Sequence, residues 1–223
     1  MRAAVSPPVT LLKLIVFSLS LVPALLLWWN FQHDLLGSEP IEAVQQTSGR
    51  WALNFLLITL CISPLRALTR QHWLLRLRRM LGLFAFAYAS LHLWAFAGLA
   101  NGFVAYDMLR EIARAPLIIA GLIAFVLLVP LAATSSNYAV QRLGGRRWQE
   151  LQRAVYPAAL LACLHFLGMS DVADLPIPLS YGVFLGLLLW WRIQERQRKA
   201  QPTSGAATPA AAKPIQFYRQ RPK

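Results

Sequence analysis

Apolar and polar residues fall along this chain in long blocks, without the alternation of a half-buried strand. Six apolar blocks occupy about residues 11–29, 51–66, 80–100, 115–133, 153–169 and 177–192. Most approach the ~20 residues that a helix needs to cross a hydrocarbon core of ~30 Å. The first block closes on Trp28-Trp29, a pair suited to a membrane interface, and has no small-residue cleavage site, so it reads as a retained helix. The second stops at Ser63-Pro64. The fourth opens near Pro116 and carries Pro130 in its last turn, and the sixth ends at Trp190-Trp191-Arg192. The expected fold is an all-α membrane protein: a six-helix transmembrane bundle forming one domain, residues 1–193. Residues 194–223 are basic and then rich in Ala, Pro, Thr and Ser, the composition of a disordered tail.

Composition supports a membrane chain, with 57% hydrophobic residues, eight Trp and only 14% charged residues among 223. The net charge of +13 raises the question of nucleic acid. The basic residues lie between apolar blocks and form no separate basic domain, so no nucleic-acid partner is expected. Topology and contact with anionic lipid headgroups explain them instead. With six crossings, both termini share one side with 19 of the 22 Lys and Arg, and only Arg50, Arg110 and Arg114 fall opposite. The positive-inside rule then puts N and C termini in the cytoplasm. Cys61 and Cys163 lie within apolar blocks and form neither a disulfide framework nor a C-x-x-C metal motif.

Two apolar blocks contain a histidine, His92 in the third and His165 in the fifth. An imidazole in hydrocarbon is costly and by default faces a bundle interior. Both blocks run from inside to outside, and each histidine lies about 12 residues, roughly 18 Å, past the inner end. Equal depth on two helices of equal direction suits axial ligation of one haem iron. With both axial positions filled, the iron would move electrons and not bind oxygen. Two other readings remain: a small membrane transporter or proton relay that titrates the pair, and a scaffold whose histidines only bond across helices. Tyr88, Trp94 and Phe166 near the pair read as ordinary packing or interface residues. His33 and His72, in loops, read as solvated.

Several motifs occur in a specific order: Arg78-Arg79-Met80-Leu81-Gly82, Leu91-His92-Leu93, Leu131-Ala132-Ala133-Thr134-Ser135, Leu143-Gly144 and Trp148-Gln149-Glu150-Leu151. With the stretches 47–53 and 62–65, they resemble the ferric-reductase-like transmembrane family over about residues 11–192. Within it they are similar to the haem-binding membrane subunits of periplasmic methionine sulfoxide reductase systems. The resemblance implies haem b with His92 and His165 as ligands, an associated FMN, and a multi-pass protein of the bacterial inner membrane. It also implies that electrons pass to MsrP, a periplasmic molybdopterin methionine sulfoxide reductase, for repair of oxidised periplasmic proteins. The chain would then be an electron-transfer subunit with no substrate-reducing site of its own.

One position departs from the family pattern Trp-x-x-Leu-His, which reads Trp148-Gln149-Glu150-Leu151-Gln152 here. Gln152 lies 13 residues before His165, and Arg79 lies 13 before His92, about 20 Å toward the cytoplasm in each case. Gln152, Arg78 and Arg79 are poor iron ligands, so one outer haem is expected and not an inner second. The two arginines can still hold haem propionates or a flavin phosphate. About 30 residues follow Arg192 and carry no G-x-G-x-x-G fingerprint. The donor is therefore expected to be separate, either quinol or reduced flavin from a cytosolic flavin reductase.

Overall fold

The computed structural model describes residues 9–71 and 73–200, so His72 and residues 201–223 of the expected tail lie outside it. Among the described residues the structure is helical, without strands. In order the helices are α1 (Val9–Gln32), α2 (Pro40–Thr69), α3 (Leu74–Trp94), α4 (Ala105–Arg114), α5 (Ile118–Ala133), α6 (Asn137–Leu143), α7 (Gly145–Gln152), α8 (Val155–Gly168) and α9 (Pro176–Ala200). Each apolar block falls within or across these helices, and several helices extend beyond their block.

Local chemistry explains the extensions. Pro40 occupies the start of α2, where a missing N–H costs nothing, and Glu42 sits in the first turn against the positive end of the helix dipole. The helix closes on Arg70, which adopts the left-handed conformation (φ 58°) and returns its amide to the Arg66 carbonyl at 2.9 Å. Helix α3 starts at Leu74, so Arg76, Arg78 and Arg79 are on a helix and not in a loop. Beyond Trp94 it widens into a π-helical turn, Ala95–Ala100, three residues after His92. Helix α9 continues to Ala200, past residue 193 where the tail was expected to begin.

The charge-balanced stretch before the fourth block is also a helix, α4. Ala105, Met108, Leu109 and Ile112 share one side, while Asp107, Arg110, Glu111 and Arg114 share the other. The α4 axis is bent 116° from α5. That distribution and angle suit a helix lying in a membrane interface. Four helices, α1, α2, α3 with its π turn, and α9, are long and apolar enough to cross a bilayer alone, and the bent α4–α5 pair would make a fifth. Helix α8 has 14 residues, and only Arg153 and Ala154 separate it from α7.

The core lies between α2 and α3, closed by α5, α8 and α9. Leu56 and Leu60, Leu81 and Ala85, Leu131, Ala158 and Ala159, and Leu185 represent the five helices in it. Alanines at 158 and 159, both fully buried, let backbones approach closely, as helices must when lipid gives no hydrophobic push between them. Tyr88 ties α1 to this core. Its hydroxyl donates to the Ser20 carbonyl at 2.8 Å and accepts from the Ala24 amide at 2.9 Å, entering the α1 hydrogen-bond ladder beside Pro23. On the outside, Leu14, Leu25, Val183 and Leu187 are 61%, 60%, 64% and 58% exposed. Lipid, not water, is the solvent that such faces fit.

Candidate functional site

Helices α3 and α8 bring the rings of His92 and His165 together, with centroids 5.9 Å apart and planes at 74°. Two imidazoles bonded to one metal through nitrogens at about 2 Å would place their centroids roughly 6 Å apart. The centroid separation of the pair is compatible with one shared metal. Among the described residues no third His, Cys, Asp or Glu joins them. Two imidazoles suffice for a metal that brings its other four ligands in a macrocycle, as haem does.

Each ring is held from behind by a backbone carbonyl. His92 Nδ1 lies 2.9 Å from the Gln45 carbonyl of α2, and His165 Nδ1 lies 3.0 Å from the Leu117 carbonyl at the start of α5. A carbonyl only accepts, so Nδ1 carries the proton in both rings and Nε2 keeps its lone pair. This is the tautomer and support that metal-binding histidines use. Glycines lie one turn after each carbonyl, Gly49 and Gly121, and both face the ring that the carbonyl holds.

Arg78 and Arg79 are not near this pair. They line a separate cavity of about 860 Å³ at the basic end of the bundle, together with Gln152, Trp148 and Tyr156. Lys13, Arg76, Arg153, Arg192 and Arg196 complete its basic lining, with no carboxylate among the described residues. Arg79 Nη1 donates to Asn137 Oδ1 at 2.7 Å, and the Arg192 guanidinium stacks 4.7 Å over the Tyr156 ring. Gln152 spends its amide on the end of α5, donating to the Leu131 carbonyl at 3.2 Å and to Thr134 Oγ1 at 3.3 Å. Trp148 Nε1 donates to the Thr134 carbonyl at 2.9 Å beside it. Phe86 lines the cavity and stacks on Phe125 of α5 (5.5 Å, 18°), six residues before His92 on the same helix.

The other residues weighed in the sequence have ordinary surroundings. Phe166 packs edge-on against Tyr181, Trp94 is half exposed, and Cys163 is a buried core residue. His33 stacks on Trp29 at 4.0 Å, outside the bundle core. Sequence reasoning did not find Gln45, Gly49, Leu117 or Gly121. One signal was available: Gly49 precedes His92 by 43 residues and Gly121 precedes His165 by 44.

Residues 48–163 match the family of ferric reductase like transmembrane components, a stretch that includes Gly49, His92, Gly121 and Gln152. Three relatives carry the name protein-methionine-sulfoxide reductase heme-binding subunit MsrQ. That of Azospira oryzae is 46% identical over 209 residues, covering 94% of this chain and 90% of the relative. That of Herminiimonas arsenicoxydans is 44% identical, covering 86% and 91%. The Xanthomonas euvesicatoria protein is 41% identical, covering 95% and 99%. The chain belongs to the MsrQ family. Family membership and the apolar helices together make it a multi-pass membrane protein. The MsrQ relatives match almost end to end, so the histidine pair and the basic cavity both fall within the shared region.

Proposed function

We propose that this protein is the haem-binding, electron-transferring membrane subunit of a methionine sulfoxide reductase system. The observation that carries the reading is the pair of carbonyl-held imidazoles 5.9 Å apart. His92 and His165 would be the two axial ligands of one haem b, each presenting Nε2 from an Nδ1-protonated ring. A haem bound through both imidazoles would have no open coordination site and would supply electron transfer and not oxygen or substrate chemistry.

The basic cavity fits FMN. Its volume of about 860 Å³ lies within the range of cofactor sites. Arg78 and Arg79 would hold the phosphate by charge-assisted hydrogen bonds, with Arg76, Arg153 and Arg192 adding positive potential. Trp148 and Tyr156, the latter under the Arg192 guanidinium, are aromatic residues of the lining that a flavin ring could pack against. Among the described residues the same lining contains no His, Cys or Met, so these residues offer no ligand pair for a second haem. Haem supplies a one-electron couple, and flavin joins two-electron donors to it.

Six crossings with both termini cytoplasmic account for the rest, with α4 and α5 forming one crossing unit and α7 and α8 another. Convergence of Lys13, near one terminus, and Arg196, near the other, on the cavity lined by Arg76, Arg78, Arg79 and Arg153 supports that arrangement. The cavity then opens to the cytoplasm of a bacterial inner membrane, where quinol or a flavin reductase delivers electrons, and the histidines lie nearer the periplasm. The acceptor is a periplasmic molybdopterin enzyme of the MsrP type. The test is reoxidation of the reduced protein in proteoliposomes. On adding an MsrP-type enzyme and a methionine sulfoxide substrate, the reduced absorption bands should decay within the assay. Bands that persist with both added, while the enzyme remains active with an artificial donor, would contradict the reading. A proton relay or transporter would show no such bands at all.

A further inference from the structure

The two histidines meet the same device on two different helices. On α2 the Gln45 carbonyl takes His92 Nδ1–H, and Gly49 follows one turn later. On α5 the Leu117 carbonyl takes His165 Nδ1–H, and Gly121 follows one turn later. Carbonyl residue and histidine are 47 and 48 positions apart. Helices α2 and α5 both precede their histidine helix in the chain, so the arrangement is built twice in one bundle.

Helix geometry explains why the fourth residue is glycine. A Cα–Cβ bond tilts toward the helix N-terminus, so the Cβ of residue i+4 overhangs the carbonyl of residue i. That carbonyl has a second lone pair, but an ordinary side chain blocks the approach of an outside donor. Without a Cβ, an imidazole can lie flat against the turn. A Cβ on Gly49 would stand 2.9 Å from His92 Nδ1 and 3.0 Å from Cε1. On Gly121 it would stand 2.9 Å from both Cγ and Nδ1 of His165 and 3.1 Å from Cδ2. Real Cβ atoms do not tolerate such contacts, so the ring would have to move and lengthen its bond to the carbonyl. Not every helical glycine here is of this kind. A Cβ on Gly82 of α3 would meet only Thr59 Cγ2, at 3.9 Å.

We infer that Gly49 and Gly121 are positioning residues that set the rotation of the two imidazoles and keep their Nδ1–H groups on the Gln45 and Leu117 carbonyls. This rests on the haem-ligand reading for its consequence at iron, though not for its geometry. The carbonyl hydrogen bond raises the basicity of Nε2, and ring rotation sets the angle between the two ligand planes. Both properties tune the reduction potential and the low-spin magnetic spectrum of the iron the rings hold. Replacing such supporting partners typically weakens metal binding by about 10–100-fold.

The experiment compares Gly49→Ala and Gly121→Ala with Gly186→Ala, where a Cβ on α9 would meet nothing within 4 Å, in the purified full-length protein. Haem per chain, the g-values of the ferric low-spin signal and the midpoint potential are measured. Gly49→Ala and Gly121→Ala should shift potential and g-values and lose haem more readily, while Gly186→Ala stays as wild type. Unchanged g-values, potential and haem retention in both variants would overturn the inference.

A second measurement needs no haem. In apoprotein, Gly49→Ala should lower the thermal midpoint when His92 is present and have little effect in a His92→Ala background. Gly121→Ala should behave the same way with His165→Ala. Equal shifts in both backgrounds would overturn the glycine–histidine coupling. A wild type without haem, but with the coupling intact, would count against the ligand reading alone.

Discussion

The two levels of this bundle use the same backbone trick with different side chains. At the level of the histidines, His165 gives its Nδ1 proton to the Leu117 carbonyl of α5 and has a second nitrogen left to offer. Nearer the basic end, Gln152 gives its amide protons to the Leu131 carbonyl and Thr134 hydroxyl of the same helix and has only a carboxamide oxygen left. A supported imidazole can serve as a metal ligand. A supported carboxamide is a weak hydrogen-bond acceptor and leaves the chemistry of its level to the surrounding arginines. One level is thus suited to iron and the other to an anion, although both are anchored to α5 alike.

Exchanging the two side chains tests this contrast most severely. His165→Gln retains a donor for the Leu117 carbonyl, so the helix pair should remain folded, yet haem should be lost entirely by pyridine haemochrome assay. Haem retained at wild-type stoichiometry would mean that His165 is not a ligand. A smaller effect is expected at the basic level. Removing charge-assisted phosphate contacts in Arg78→Ala/Arg79→Ala should weaken flavin retention by about 10–100-fold. Fluorescence of flavin released on denaturation measures this, and haem content should not change. The smallest effect belongs to Gln152→Ala. Loss of its two hydrogen bonds should cost about 1 kcal/mol of stability, seen as a modestly lower thermal midpoint, with the haem spectrum unchanged.

The residues that could be read from the sequence and those that could not differ in a physical way. Apolar blocks show through because a spanning helix must satisfy its backbone internally and cover itself with hydrocarbon side chains. His92 and His165 were visible because a titratable ring is rare in such blocks, and matched depth linked them. Their partners in the second layer were hidden, since the acceptors are main-chain carbonyls at Gln45 and Leu117, whose side chains take no part. Gly49 and Gly121 could have been noticed only by comparing the two histidine-bearing hairpins position by position.

Helix α4 was missed for another reason. Its apolar and charged residues cancel in any average, and only their separation by face marks the helix. The start of α2 at Pro40 was similarly hidden, because residues 40–50 are mostly polar and become helical through Pro40 in the first turn and contact with His92 of α3. The basic cavity collects residues from both ends of the chain, Lys13 to Arg196, and such a gathering has no sequence signature.

The central claim is that one iron is held between His92 and His165 and that the Gln152 level holds none. A reduced-minus-oxidised spectrum of the purified wild-type protein, with haem counted per chain, tests it most directly. The account predicts one low-spin b-type haem per chain, lost in His92→Ala. Two haems per chain, or none in protein from haem-replete cells, would contradict it.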